Sequence, residues 1–228
     1  MELPHLTHAW LYNLLRVAGI GLLAACNQSI STDSPADSLK AAGAAADLAQ
    51  RCFFVGGGLS ENDLNLMAAT EAGDIGQIEQ LLGAGANVNA ADTLKRTPLF
   101  AAAFCNHSKA VDLLADRGGD LNSRDFSGMS PLHAGVVMGA ADAVRALMAK
   151  GATLDIRDAA GRTPLHLAGA TNQVGLVELL LEHGANTQVR DKNGNTAAFL
   201  ASDNGHNQIA VAIRKWQAKQ KGQSQKRG

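Results

Sequence analysis

"GRTPLHLAGATNQVGLVELLLEHGANTQVRD", residues 161–191, carries two short helices and the turns that join them. Thr163 suits an N-cap, because its side-chain oxygen can accept a free backbone N–H at the helix start. Pro164 at the first helical position loses no hydrogen bond and presets φ. Leu165, Leu167 and Ala168 form an apolar face, and the polar pair Asn172–Gln173 turns the chain. Val177, Leu180 and Leu181 then make the stripe of a second helix. Gly184 stops it, since glycine tolerates the left-handed conformation that follows a helix end. Asn186 to Asn195 reads as an extended, turn-tipped connection.

The pattern recurs in both directions. Thr97, Ser130, Thr163 and Thr196 are spaced by 33, as are Asp92, Asp125, Asp158 and Asp191. The stretch "LNLMAATEAGDIGQIEQLLGAGANVNAAD", 64–92, fits the same frame with a divergent start. A 33-residue period carrying T-P-L-H resembles the ankyrin repeat. The resemblance covers about residues 60–216, in units 60–92, 93–125, 126–158, 159–191 and 192–216. It implies an all-α solenoid of helix-turn-helix units with β-turn fingers. One unit cannot bury both of its helices alone, so stability is mostly nearest-neighbour. Irregular end units are expected: Leu64–Asn65 stands for Thr-Pro in the first, and Ala197–Ala198 for Pro-Leu in the last.

Composition sets outer bounds. The chain has 228 residues, 46% apolar and 18% charged, with a net charge of −1. That balance argues against nucleic acid, whose binders normally carry a basic excess. Only 4% is aromatic, which suits closely stacked small-residue helices. Residues 217–228 form a basic tail, expected to be solvated.

The beginning of the chain differs. Val17 to Ala25 is too short to span a bilayer, but fits a signal-peptide hydrophobic region behind Arg16. Leu23-Ala24-Ala25-Cys26 resembles a bacterial lipobox, and a buried N-terminal helix is the alternative reading of these residues. The resemblance implies removal of 1–25, acylation of Cys26 as the new N-terminus, and a flexible tether over 26–47. Asn27, where Asp would favour the inner membrane, implies the inner leaflet of the outer membrane, facing the periplasm. Stable anchoring follows from two or more lipid signals.

Residues 48–59 read as a capping segment, with a short helix in "AADLAQRCFFV", 45–55. In an oxidising compartment Cys52 and Cys105 suggest a disulfide, with two buried thiols as the alternative. The bond would close a loop of roughly 50 residues and contribute about 4 kcal/mol on the chain-entropy estimate.

No catalytic constellation is visible. No G-x-S-x-G, H-E-x-x-H or phosphate loop occurs. Of seven histidines, His133 and His166 belong to the repeat motif, His107 and His206 to its turn, and His183 to a helix end. His5 and His8 fall in the leader. No metal, cofactor or enzymatic activity is therefore expected.

What remains is surface. In ankyrin proteins partners contact the finger tips and the exposed side of the first helices. Carried onto this chain, the partner-binding candidates are Leu94, Arg96, Phe104, Phe126, Met129, Val137, Met138, Arg162 and Thr171. Phe126, Met129, Val137 and Met138 are apolar where the pattern only demands solvent tolerance, and such clusters mark interaction sites. Arg96 and Arg162 are expected to flank them, arginine being enriched at hot spots. Cover by the folded-back N-terminal segment is the alternative. The expected protein is monomeric when free and binds one protein through its concave face. Small lipoproteins built from binding repeats resemble immunity proteins of secreted antibacterial toxins. The resemblance implies an inhibitor of a type VI phospholipase effector. The other function weighed is an envelope scaffold supporting a periplasmic enzyme or assembly.

Overall fold

The computed structural model describes residues 59–225, with side chains to residue 220. The expected leader, lipid-anchor residue Cys26 and tether, together with Cys52 and nearly all of the expected capping segment, lie outside the described residues.

Among the described residues ten helices follow one another in pairs joined by short turns. They are α1 (Glu61–Ala72), α2 (Ile75–Gly83), α3 (Pro98–Phe104), α4 (Ser108–Asp116) and α5 (Pro131–Val137). Then come α6 (Ala141–Ala149), α7 (Pro164–Ala170), α8 (Val174–Glu182), α9 (Ala197–Asp203) and α10 (Asn207–Gln225). Odd-numbered helices stack on one another, and α2 on α4 and α4 on α6. The all-α repeat solenoid expected from the 33-residue period is the fold observed. No helix among the described residues is long and apolar enough to cross a membrane.

The period is visible in burial. Leu66, Leu99, Leu132 and Leu165, each 33 apart, are fully buried in the first-helix layer. Leu114, Leu147, Leu180 and Ile213 repeat the same spacing and the same burial in the second. Completely burying one such side chain stabilises by roughly 1.5–3 kcal/mol, so each unit draws its stability from the neighbour that covers it. Thr97 and Thr196 cap α3 and α9, accepting the N–H of Phe100 and Phe199 at 3.3 Å.

The motif histidines lock adjacent units. Nδ1 of His133 takes hydrogen bonds from the hydroxyl (2.9 Å) and the N–H (3.1 Å) of Ser130. Its Nε2–H donates to the Arg162 carbonyl of the next unit at 3.0 Å. His166 does the same with Thr163 and Asn195. These partners assign the proton to Nε2. Burial pushes the His133 pKa down to about 4, against the hydrogen bond to Arg162, and lowers that of His166 as well.

A second ladder runs through the connections. Side chains of Asn89, Asn122 and Asp155 accept the N–H of Asp120, Thr153 and Asn186 one unit on, at 2.8, 2.9 and 2.9 Å. The corresponding N–H of the first unit, Asn87, goes instead to Asp63 within that unit, at 2.7 Å. α1 therefore supplies from its own first turn what a preceding unit supplies elsewhere. At the other end α10 runs 19 residues, where α2, α4, α6 and α8 have nine each. The basic tail thus begins as a continuation of this last helix.

Candidate protein-binding face

Each finger is built around its aspartate. Asp92 Oδ1 accepts the N–H of Leu94 and of Arg96, both at 2.9 Å, and tightens the turn. Asp158 and Asp191 do likewise with Ala160 and Arg162, and with Asn193 and Asn195. Adjacent fingers are then joined by single backbone bonds. Phe126 N–H donates to Leu94 O, Ala159 N–H to Ser127 O and Lys192 N–H to Ala160 O, at 2.8–2.9 Å. The four tips consequently form one continuous edge.

The approach is close enough to dictate residue type. Gly128 has φ +74°, and a Cβ there would lie 2.7 Å from the Ala159 nitrogen. A side chain would push the neighbouring finger away, so glycine satisfies both the left-handed turn and the contact.

Phe126 is 78% exposed and Leu94 41%, on fingers that touch through their backbones. Ala159 and Ala160 continue the apolar run, also exposed. Phe104, Val137 and Ala170, at one repeat position, end α3, α5 and α7 and stay half-buried. Met129, Val137 and Met138 are half-buried too and pack against the core. Thr171 is half-buried, its hydroxyl donating to the Leu167 carbonyl at 2.8 Å. Cys105, beside Phe104, is buried, and any pairing with Cys52 falls outside the described residues.

Arg96 departs from expectation. It does not flank the patch as an accessible hot spot. It is buried, and its Nε and Nη2 clamp Asp92 Oδ2 at 2.8 and 2.5 Å. Arg162 clamps Asp158 in the same way at 2.8 Å but keeps about a quarter of its side chain exposed. The sequence signal was present in the D-x-x-x-R spacing of "DTLKR" and "DAAGR". A buried carboxylate needs a counter-charge, and the nearest arginine supplies it.

The second and fourth fingers lack this clamp, with Met129 and Asn195 in place of the arginine. Met129 stands where Arg96 and Arg162 stand, so Asp125 has no arginine of its own. Burial raises the Asp125 pKa, offset in part by the N–H groups of Met129 and Ser127 and by the charge of Arg96. Met129 thus replaces an internal clamp with an apolar side chain that is half-buried against the core.

A separate shallow groove of about 350 Å³ lies between α8 and α10, lined by Glu178, Leu181, Glu182, Ala212, Lys215, Trp216 and Lys219. Among the described residues no group of His, Cys, Asp or Glu is arranged to hold a metal ion.

The family model for ankyrin repeats (3 copies) matches residues 66–158 and 150–221. The chain is an ankyrin-repeat protein. Ankyrin repeats are protein–protein interaction modules and typically non-enzymatic scaffolds, which fits a face whose prominent feature is exposed apolar side chains. The search of curated proteins returned no match.

Proposed function

We propose that this ankyrin-repeat protein is an acylated periplasmic inhibitor. In this reading Cys26 holds it on the outer membrane, and its finger edge covers the active-site cleft of a secreted antibacterial phospholipase. The observation that carries the binding part is the 78% exposure of Phe126 beside Leu94, on fingers fixed to each other by a backbone bond. A rigid, exposed aromatic supplies contact area at little entropic cost. Its burial in a partner's pocket would contribute roughly 1.5–3 kcal/mol. Anchoring at the membrane would place the inhibitor where a lipid-cleaving toxin must act, raising the effective concentration. The lipobox-like LAAC at 23–26 supports the location, and an oxidising periplasm would favour a Cys52–Cys105 bond.

The test has two arms. Deleting the gene should sensitise cells to sister cells that secrete the effector, and a Leu94→Asp, Phe126→Asp double variant, changed at two exposed finger residues, should fail to restore resistance while keeping wild-type helicity by circular dichroism. Resistance in the deletion strain would end the inhibitor reading. Full rescue by the double variant would remove the finger edge from it.

A further inference from the structure

The four fingers carry an excess of positive charge. Across residues 92–96, 124–129, 157–162 and 190–195 there are seven cations and four carboxylates, in a chain whose net charge is −1. The carboxylates are turned inward. Asp92, Asp158 and Asp191 are buried, and all four aspartates accept their own fingers' N–H groups. Arg96 and Arg162 neutralise two of them. Five cations remain, and all five are exposed: Lys95, Arg124, Arg157, Arg190 and Lys192.

Three of these make a register. Arg124, Arg157 and Arg190 are spaced by 33, each just before the finger aspartate. Arg157 Nε donates to the Gly161 carbonyl at 3.2 Å, and its Nη2 to the carbonyl of Arg190 on the next finger. Arg190 Nη1 donates to the Gly194 carbonyl at 2.6 Å. A guanidinium has five N–H donors, so each keeps several for a ligand while its position is fixed. Pinned planar forks match carboxylates bidentately. Along the four fingers Leu94, Phe126, Ala159 and Ala160 alternate in sequence with these cations.

We propose that the finger edge recognises an acidic loop of a folded protein, one bulky-apolar pocket taking Phe126 while flanking Asp or Glu side chains meet the Arg124–Arg157–Arg190 row. This rests on the finger edge being the partner surface, and adds the partner's chemistry. A membrane surface fits less well. One lone aromatic is little to insert, and lipid-binding polybasic segments are mobile clusters rather than a fixed row at repeat spacing.

The experiment selects disulfide-closed random loops, displayed on phage, against the full-length protein. Enriched loops should carry an excess of Asp and Glu around one large apolar residue. Their synthetic versions should lose affinity roughly tenfold or more against a Lys95→Glu, Lys192→Glu variant and against Arg124→Glu, and weaken with salt. The lysine pair guards against misfolding, since both side chains are exposed. Neutral or basic winners overturn the proposal. So do acidic winners indifferent to these reversals, or to Phe126→Asp. Tighter binding to phosphatidylglycerol vesicles or duplex DNA than to any selected loop also overturns it, in favour of that ligand. If resistance to the effector requires Phe126 but the winners are not acidic, only the charge assignment fails. If acidic loops bind the row while the Phe126 variant still rescues, the inhibitor's face lies elsewhere and the row stands.

Discussion

Lowering the pH should destabilise this protein through His133. The side chain is fully buried, and burial holds its pKa at about 4, against 6.5 when free. The native state therefore excludes a proton that the unfolded chain binds. Stability from this group is complete above pH 6.5 and is lost as the pH falls toward 4. By linkage the loss is about 2 kcal/mol at about pH 5. His166 is shifted down for the same reason and adds to the loss. Asp125 acts oppositely, since its native carboxyl takes up a proton more readily than the unfolded one, but only as the pH nears the carboxylate range. The molecule itself supplies the variant: Phe100 occupies the equivalent position one unit earlier and is buried. His133→Phe should cost about 1 kcal/mol at neutral pH by removing the bond to the Arg162 carbonyl. Its acid-induced loss should be smaller than the wild type's by about 2 kcal/mol at about pH 5. Urea unfolding followed by far-ultraviolet circular dichroism, repeated across this range, gives both numbers. Equal acid-induced losses in the two proteins would show that His133 does not titrate on unfolding, and the burial reasoning would be wrong.

Phe100 and Phe199 share a repeat position but not an environment, with 4% and 50% exposed. Phe100→Ala should cost about 3–5 kcal/mol in urea unfolding, Phe199→Ala well under half of that. Arg96→Ala should cost about 3 kcal/mol, because it strands the buried Asp92 carboxylate. Arg145→Ala, which breaks the exposed pair with Asp142, should leave the unfolding midpoint unchanged. Gly128→Ala combines a positive φ with a backbone collision, so a loss of about 1–3 kcal/mol is expected. Selected finger-edge ligands should bind this variant more weakly even where it remains folded.

The solenoid was legible because its determinants are local and periodic. Thr163, Pro164 and Gly184 each act within a turn of helix, and the 33-residue recurrence of Leu99, Leu132 and Leu165 states where the core lies. The candidate face was only half legible. Phe126 and Leu94 stood out as apolar residues at positions that repeat geometry leaves open. Arg96 reads as surface when its position is taken alone, and only its pairing with Asp92 four residues earlier accounts for its burial. The Arg124–Arg157–Arg190 row shows its 33-residue spacing in the sequence but not its anchoring. Only the finger carbonyls reveal that two of the three are fixed. Asp63 could not be assigned at all from sequence, because its partner Asn87 lies beyond the following helix.

Asp63 has a consequence for how such an array can lengthen. By answering Asn87 from within α1, it makes the first unit self-sufficient in the connection ladder. A duplicated module placed upstream would find that donor already engaged and would have to displace a carboxylate also tied to Ser60. Copies inserted between the second and fourth units would meet matching donors and acceptors on both sides. Elongation, natural or engineered, should therefore proceed by interior insertion and leave the α1 terminus intact.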